Sequence, residues 1–141
     1  MDCQLEHANI TVQNMDRAIE FLTTAFPHFK VRGGGESDHG TWHKRWCHLG
    51  TDWLYVALEQ TTIASKTERR PAEETGINHV GFTVESIEDI RQNMEAAGYK
   101  NSVADERPYR QRLYVTDADG ITWEFVEYYS DDPAERNHYE S

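Results

Sequence analysis

Two stretches of this chain, about 72 residues apart, repeat the same order of elements. The first opens on Glu6-His7-Ala8-Asn9-Ile10-Thr11-Val12 and the second on Asn78-His79-Val80-Gly81-Phe82-Thr83-Val84. Each segment reads as a strand, and each is followed by a helix and then by two or three strands. A half built this way buries only one face of its sheet. It needs its twin, or another subunit, to close a core. The repeat therefore predicts an α+β fold of paired modules, one at 5–60 and one at 77–128. The polar stretch 61–76, which holds Pro71, is the connector, and 129–141 is a charged tail. The whole of 1–141 is then one domain, and 141 residues leave no room for two large independent ones. Twisted sheets brought together predict a curved mixed sheet with a central cleft between concave faces.

Local patterns place the elements. In the first strand Ala8, Ile10 and Val12 share one face, while His7, Asn9 and Thr11 share a polar one. Asn14 is placed to cap a helix whose apolar stripe is Met15, Ala18, Ile19, Leu22 and Phe26, stopped by Pro27. Phe29 to Arg32 predicts a short strand, and Gly33 to Gly40 a flexible loop that would serve as a lid. Strands are expected over Trp42 to Leu49 and Trp53 to Gln60. In the second module Ser86 caps a helix carrying Ile87, Ile90, Met94 and Ala97. Val103 to Arg107 pairs briefly, and Arg110 to Thr116 and Ile121 to Tyr128 form a hairpin around Asp117-Ala118-Asp119-Gly120.

Composition removes several classes of function. There are 25 acidic and 14 basic side chains, a net charge of −11, which disfavours binding to nucleic acid or to an anionic membrane surface. No apolar run approaches the roughly 18 residues of a membrane span. Met1-Asp2-Cys3-Gln4 has no basic segment followed by an apolar one, so no signal peptide is expected. The two cysteines, Cys3 and Cys47, read as free thiols, which suits a reducing cytoplasm.

The residues that need a chemical reason are His7, His79 and Glu124, with Glu59 a possible fourth. Each lies within a predicted strand. Glu124 stands between Trp123 and Phe125, where an unpaired carboxylate is costly to desolvate. A divalent metal would offset that cost, and two imidazoles with one or two carboxylates suit Zn, Ni, Fe, Mn or Co. The alternative is that His7 is a surface residue and that Glu124 pairs with Arg110 or Arg112 on a neighbouring strand.

At these residues, and at Asp117-Ala118-Asp119-Gly120-Ile121-Thr122-Trp123-Glu124-Phe125, the sequence resembles the vicinal oxygen chelate superfamily. That superfamily includes glyoxalase I, fosfomycin resistance proteins, extradiol dioxygenases and bleomycin resistance proteins. The resemblance covers about residues 5 to 128. It implies paired βαβββ modules, a homodimer, and a divalent metal that chelates adjacent oxygens of a small substrate. It implies His7, His79 and Glu124 as ligands, with Glu124 or Glu59 as the base of a glyoxalase-like proton transfer. The fourth-strand position where glyoxalases place a glutamate is Ala57 here; Glu59 lies two residues on, on the same face. The lyase, thiol transferase and dioxygenase types of reaction all remain open. So does a metal-free protein of the bleomycin-resistance kind, which sequesters an aromatic or cationic ligand.

The expected substrate-binding residues are Trp42, Trp46, Tyr55, Arg112 and Tyr114. Trp42, Trp46, Trp53 and Tyr55 would line an aromatic pocket, or pack in a core or a dimer interface. Arg107, Tyr109, Arg110 and Arg112 would hold an anionic group, or else be solvent-exposed or paired with the many acidic side chains. His39, His43 and His48 cluster with Cys47, but at a spacing that fits no usual zinc pattern.

Overall fold

The structure is a computed structural model and describes residues 3–99 and 102–139. The ends of the predicted 1–141 domain lie outside the described residues. Two compact units divide at Thr67/Glu68.

In the first unit β1 (His7–Thr11) leads into α1 (Met15–Ala25), then β2 (Lys30–Asp38), β3 (His43–Gly50) and β4 (Tyr55–Thr61). The strands are ordered β1-β4-β3-β2, with β1 parallel to β4 and the other pairs antiparallel. Asn14 caps α1 as expected, its Oδ1 accepting the Arg17 N–H at 3.0 Å. The buried stripe of α1 is Met15, Ala18, Phe21, Leu22 and Ala25. The sequence reading missed Phe21, and Ile19 is only half-buried. Val12, Leu49, Val56 and Leu58 complete the core on this side of the sheet.

The second unit repeats the plan: β5 (His79–Thr83), α2 (Ile87–Ala96), β6 (Ser102–Arg107), β7 (Arg110–Thr116) and β8 (Thr122–Tyr128), ordered β5-β8-β7-β6. Ser86 caps α2, accepting the Asp89 N–H at 3.1 Å. Ile87, Ile90 and Met94 meet Leu113, Val115, Trp123 and Phe125 in its core. A short helix, α3 (Pro133–Arg136), follows in the tail.

Two expectations are corrected. The repeat does not make one curved mixed sheet with a central cleft. Among the described residues every strand pairs within its own module, so there are two separate four-stranded sheets, and neither closes. Alternation within a strand fixes which face is buried, but it carries no information about which strands share a ladder.

The second correction concerns the glycine run. Gly33 to Asp38 is paired strand against β3, not a loop or lid. Its partners explain why glycine is tolerated there: a Cβ on Gly35 would come within 3.0 Å of the Trp46 indole nitrogen. The missing side chain is the space that the indole occupies.

Candidate functional site

Strand register puts a distinctive set of side chains on one face of the first sheet. His7, Asn9 and Thr11 stand opposite Tyr55, Ala57 and Glu59, and His48 and Trp46 follow opposite Ala57 and Glu59 on β3. The Tyr55 ring sits between two imidazoles. His7 stacks on it at 4.6 Å and 12°, and His48 at 4.5 Å and 27°. Trp46 continues the row, 5.0 Å from His48. The register slips between Val31 and Gly33, and at that bulge the Arg32 guanidinium lies 4.4 Å above the Tyr55 ring. A bulge re-aims a side chain without ending the ladder, and a guanidinium over a phenol face is attracted by the ring quadrupole.

The remaining first-unit candidates have other partners. His7 Nδ1 lies 3.2 Å from Glu6 Oε2. Glu59 Oε1 accepts from Lys44 Nζ and Asn9 Nδ2, each at 3.4 Å. Trp42 stacks on His39 at 4.0 Å near the β2–β3 turn, and Trp53 is exposed. His43 faces Asp38 and Glu36, so His39, His43 and His48 have separate partners. Burial pushes the Cys47 thiol up, with Arg45 opposing the shift.

The same face of the second sheet carries His79 and Glu124. Glu124 pairs with Gly81 across the β5–β8 ladder, as Ala57 pairs with Asn9 in the first unit. Ala57 is thus the true counterpart of Glu124, and Glu59 corresponds to Val126. His79 Nε2 lies 3.0 Å from Glu124 Oε2, and the Tyr114 hydroxyl donates to Glu124 Oε1 at 2.9 Å. His79 Nδ1 faces Asn78 Oδ1 at 2.9 Å. Burial, then the bond to Glu124, raises the Tyr114 phenol. Arg112 Nε donates to Asp105 at 2.9 Å and stands 4.0 Å from Glu124 Oε1. That pairing raises the Arg112 guanidinium and lowers the Asp105 carboxyl.

Does either unit offer a metal site? In the second, the donors that meet are His79 and Glu124, and the next neighbours are a phenol and the cationic Arg112. A positive charge that close opposes a second cation. In the first, His7 has Glu6 beside it and Ala57 where a carboxylate would be needed. Among the described residues no group of three His, Cys, Asp or Glu side chains gathers. Neither unit taken alone therefore fits a divalent ion.

The Asp-Ala-Asp-Gly turn has a structural explanation. Asp117 Oδ1 accepts the Asp119 and Ile121 N–H groups at 2.9 and 3.0 Å, and Oδ2 accepts the Trp123 indole N–H at 3.0 Å. Burial raises this carboxyl, and the three donors pull it back. The turn thus sets the start of β8, and with it Glu124.

Sequence reasoning missed Arg32 and His48 as members of the ring row. His48 was available from alternation, since it stands two residues from Trp46. Arg32 was not, because nothing local announces the bulge.

The chain belongs to the Glyoxalase/Bleomycin resistance protein/Dioxygenase superfamily, whose family model matches residues 4–125. No curated protein sequence matches it. Among solved structures, it is similar to a glyoxylase/bleomycin resistance protein/dioxygenase domain from Frankia sp. The two are 21% identical over 96% of this chain and 98% of that one, with a TM-score of 0.76. A glyoxalase family protein from Bacillus cereus is 18% identical over 90% and 95%, with a TM-score of 0.73. A variant of the fosfomycin resistance protein FosX from Listeria monocytogenes is 16% identical over 98% and 100%, with a TM-score of 0.69. That protein was complexed with Mn(II) and 1S,2S-dihydroxypropylphosphonic acid. At these identities the likeness is one of fold. No helix among the described residues is long and apolar enough to cross a membrane.

Proposed function

We propose that this protein is a small-molecule binding protein of the bleomycin-resistance kind, which takes a planar aromatic ligand on the first sheet without a metal. The observation that carries this reading is the row Trp46–His48–Tyr55–His7 on one sheet face, with Ala57 in place of a fourth-strand carboxylate. Stacked rings supply rigid contact area at small entropic cost, and an aromatic ligand extends the row.

Bleomycin, a cation with planar heteroaromatic rings, is a direct probe. Titration into metal-free protein should quench tryptophan fluorescence saturably, and Tyr55→Ala should weaken binding by about tenfold or more. An unchanged signal, or equal binding by the variant, would sink the ring-stacking reading.

Divalent-metal catalysis is the second reading, favoured by the His79–Glu124 approach of 3.0 Å. It needs a third donor besides these two. Elemental analysis of untagged, chelator-free protein decides between the readings. Near-stoichiometric Mn, Fe, Ni, Co or Zn, lost in His79→Ala, establishes the metalloenzyme.

Homodimer assembly rests on the family resemblance. Light scattering should then give twice the chain mass of 16.4 kDa, and a monomer mass would remove that element.

A further inference from the structure

The turn between β6 and β7 borders a cavity within the second unit. Arg107, Tyr109, Arg110 and Arg112 line it, with His138 and Tyr139 of the C-terminal segment, and it encloses about 220 Å³. Arg107 and Arg110 are direct register partners across the two strands, and Arg112 stands two residues further along. Like charges opposite one another destabilise a ladder, so the fold itself gives no reason for this pairing. In a chain of net charge −11 the clustering runs against composition as well.

The counter-charge present is small. Arg107 and Arg112 share one carboxylate, Asp105, and Glu124 lies at the edge of Arg112's reach, 4.0 Å away. Arg110 Nη1 donates to the neutral backbone carbonyls of Arg136 and His138, at 3.2 and 3.3 Å. Its guanidinium lies 5.4 Å from the Tyr139 ring centroid. Among the described residues no carboxylate forms an ion pair with Arg110. These bonds hold the C-terminal segment as a wall of the cavity, and the Tyr109 and His138 rings meet edge to face at 5.3 Å beside it.

We propose that this cavity binds the phosphate group of a small phosphate ester. A dianion matches the uncompensated guanidinium charge, and guanidinium forks suit tetrahedral oxyanions. The volume lies below the roughly 300 Å³ at which pockets for drug-sized ligands begin, which restricts the occupant to a small group. The Tyr109, His138 and Tyr139 rings supply apolar surface for the organic part.

Isothermal titration of the full chain with inorganic phosphate and with phenyl phosphate, at fixed pH and ionic strength, tests the assignment. Both probes should bind saturably, phenyl phosphate more tightly. Arg110→Gln should weaken binding by about tenfold or more. Because that variant also frees the C-terminal segment, Arg107→Gln is the cleaner one and should show the same loss. Arg91→Gln removes an exposed guanidinium on α2, paired with Glu88 and Glu95, and should change affinity less than about twofold. Tyr55→Ala should leave phosphate binding intact, which separates this site from the stacked rings. Three results would overturn the proposal: no saturable binding up to about 10 mM, full binding by both pocket variants, or an equal loss in Arg91→Gln.

Discussion

Gly50→Ala is expected to destabilise the protein by about 3 kcal/mol or more, at the upper end of the cost of overpacking a tight site. Gly50 is buried and pairs with Tyr55 at the β3–β4 end of the first sheet. A Cβ there would strike the Leu54 carbonyl oxygen and come within 2.6 Å of Tyr55 Cα. Both are backbone atoms and cannot swing aside, so the strands must separate. Tyr55 carries His7, His48 and Arg32, so ring stacking should be lost with the stability. Urea denaturation of the variant measures the first effect, and tryptophan quenching by bleomycin the second. Gly33→Ala is the control, since a Cβ there meets nothing within 4 Å. A Gly50 variant as stable as that control would mean that the hairpin gives way easily.

Trp123→Ala should cost about 3–5 kcal/mol, the range for truncating a large buried aromatic side chain. Trp123 is 1% exposed, packs among Val115, Phe125 and the α2 side chains, and donates to Asp117. With marginal stability of about 5–15 kcal/mol for a protein of ordinary size, such a loss reaches a large part of the total. A pH effect follows from the same bond. Burial holds the Asp117 carboxyl above its ordinary range, so the folded chain binds that proton more tightly than the unfolded chain. Stability from this group therefore falls as pH rises from the ordinary aspartate value through the raised one. Removing the indole donor widens that window. Thermal melts of both proteins across the acid range should show the variant declining further. Parallel pH curves would mean that the indole bond does not act on Asp117.

Much of this fold is legible because each strand signals its faces locally. The polar His7 and His79 faces, both helix caps and the Ala57 register follow from alternation and from capping chemistry. The glycine strand was illegible because glycine has little intrinsic preference for a strand. It is extended because β3 pairs with it and Trp46 fills the space beside Gly35. The sheet arrangement failed for a different reason. A repeat shows that two halves are alike, not whether their strands bond to one another. In the site, the approach of His79 to Glu124 follows from parallel pairing of two readable strands. Arg32 over Tyr55 depends on a bulge, and the arginine cavity on contacts from His138 and Tyr139, more than twenty residues beyond the turn that they cover.

The placement of β1 has a consequence for biosynthesis. This first strand bonds to β4, whose opening residue Tyr55 lies about fifty residues after His7. While the ribosome is still making the intervening chain, β1 has no partner, and the β2–β3 hairpin can form before it. The opening strand therefore cannot join its sheet before β4 is made, and closing so long a loop is slow compared with hairpin formation. Residue 61 leaves the ribosome before β5 does, so every strand of the first sheet is available for pairing before β5 is free to pair. That order of emergence favours pairing within the first module over exchange with the second, which shares its plan.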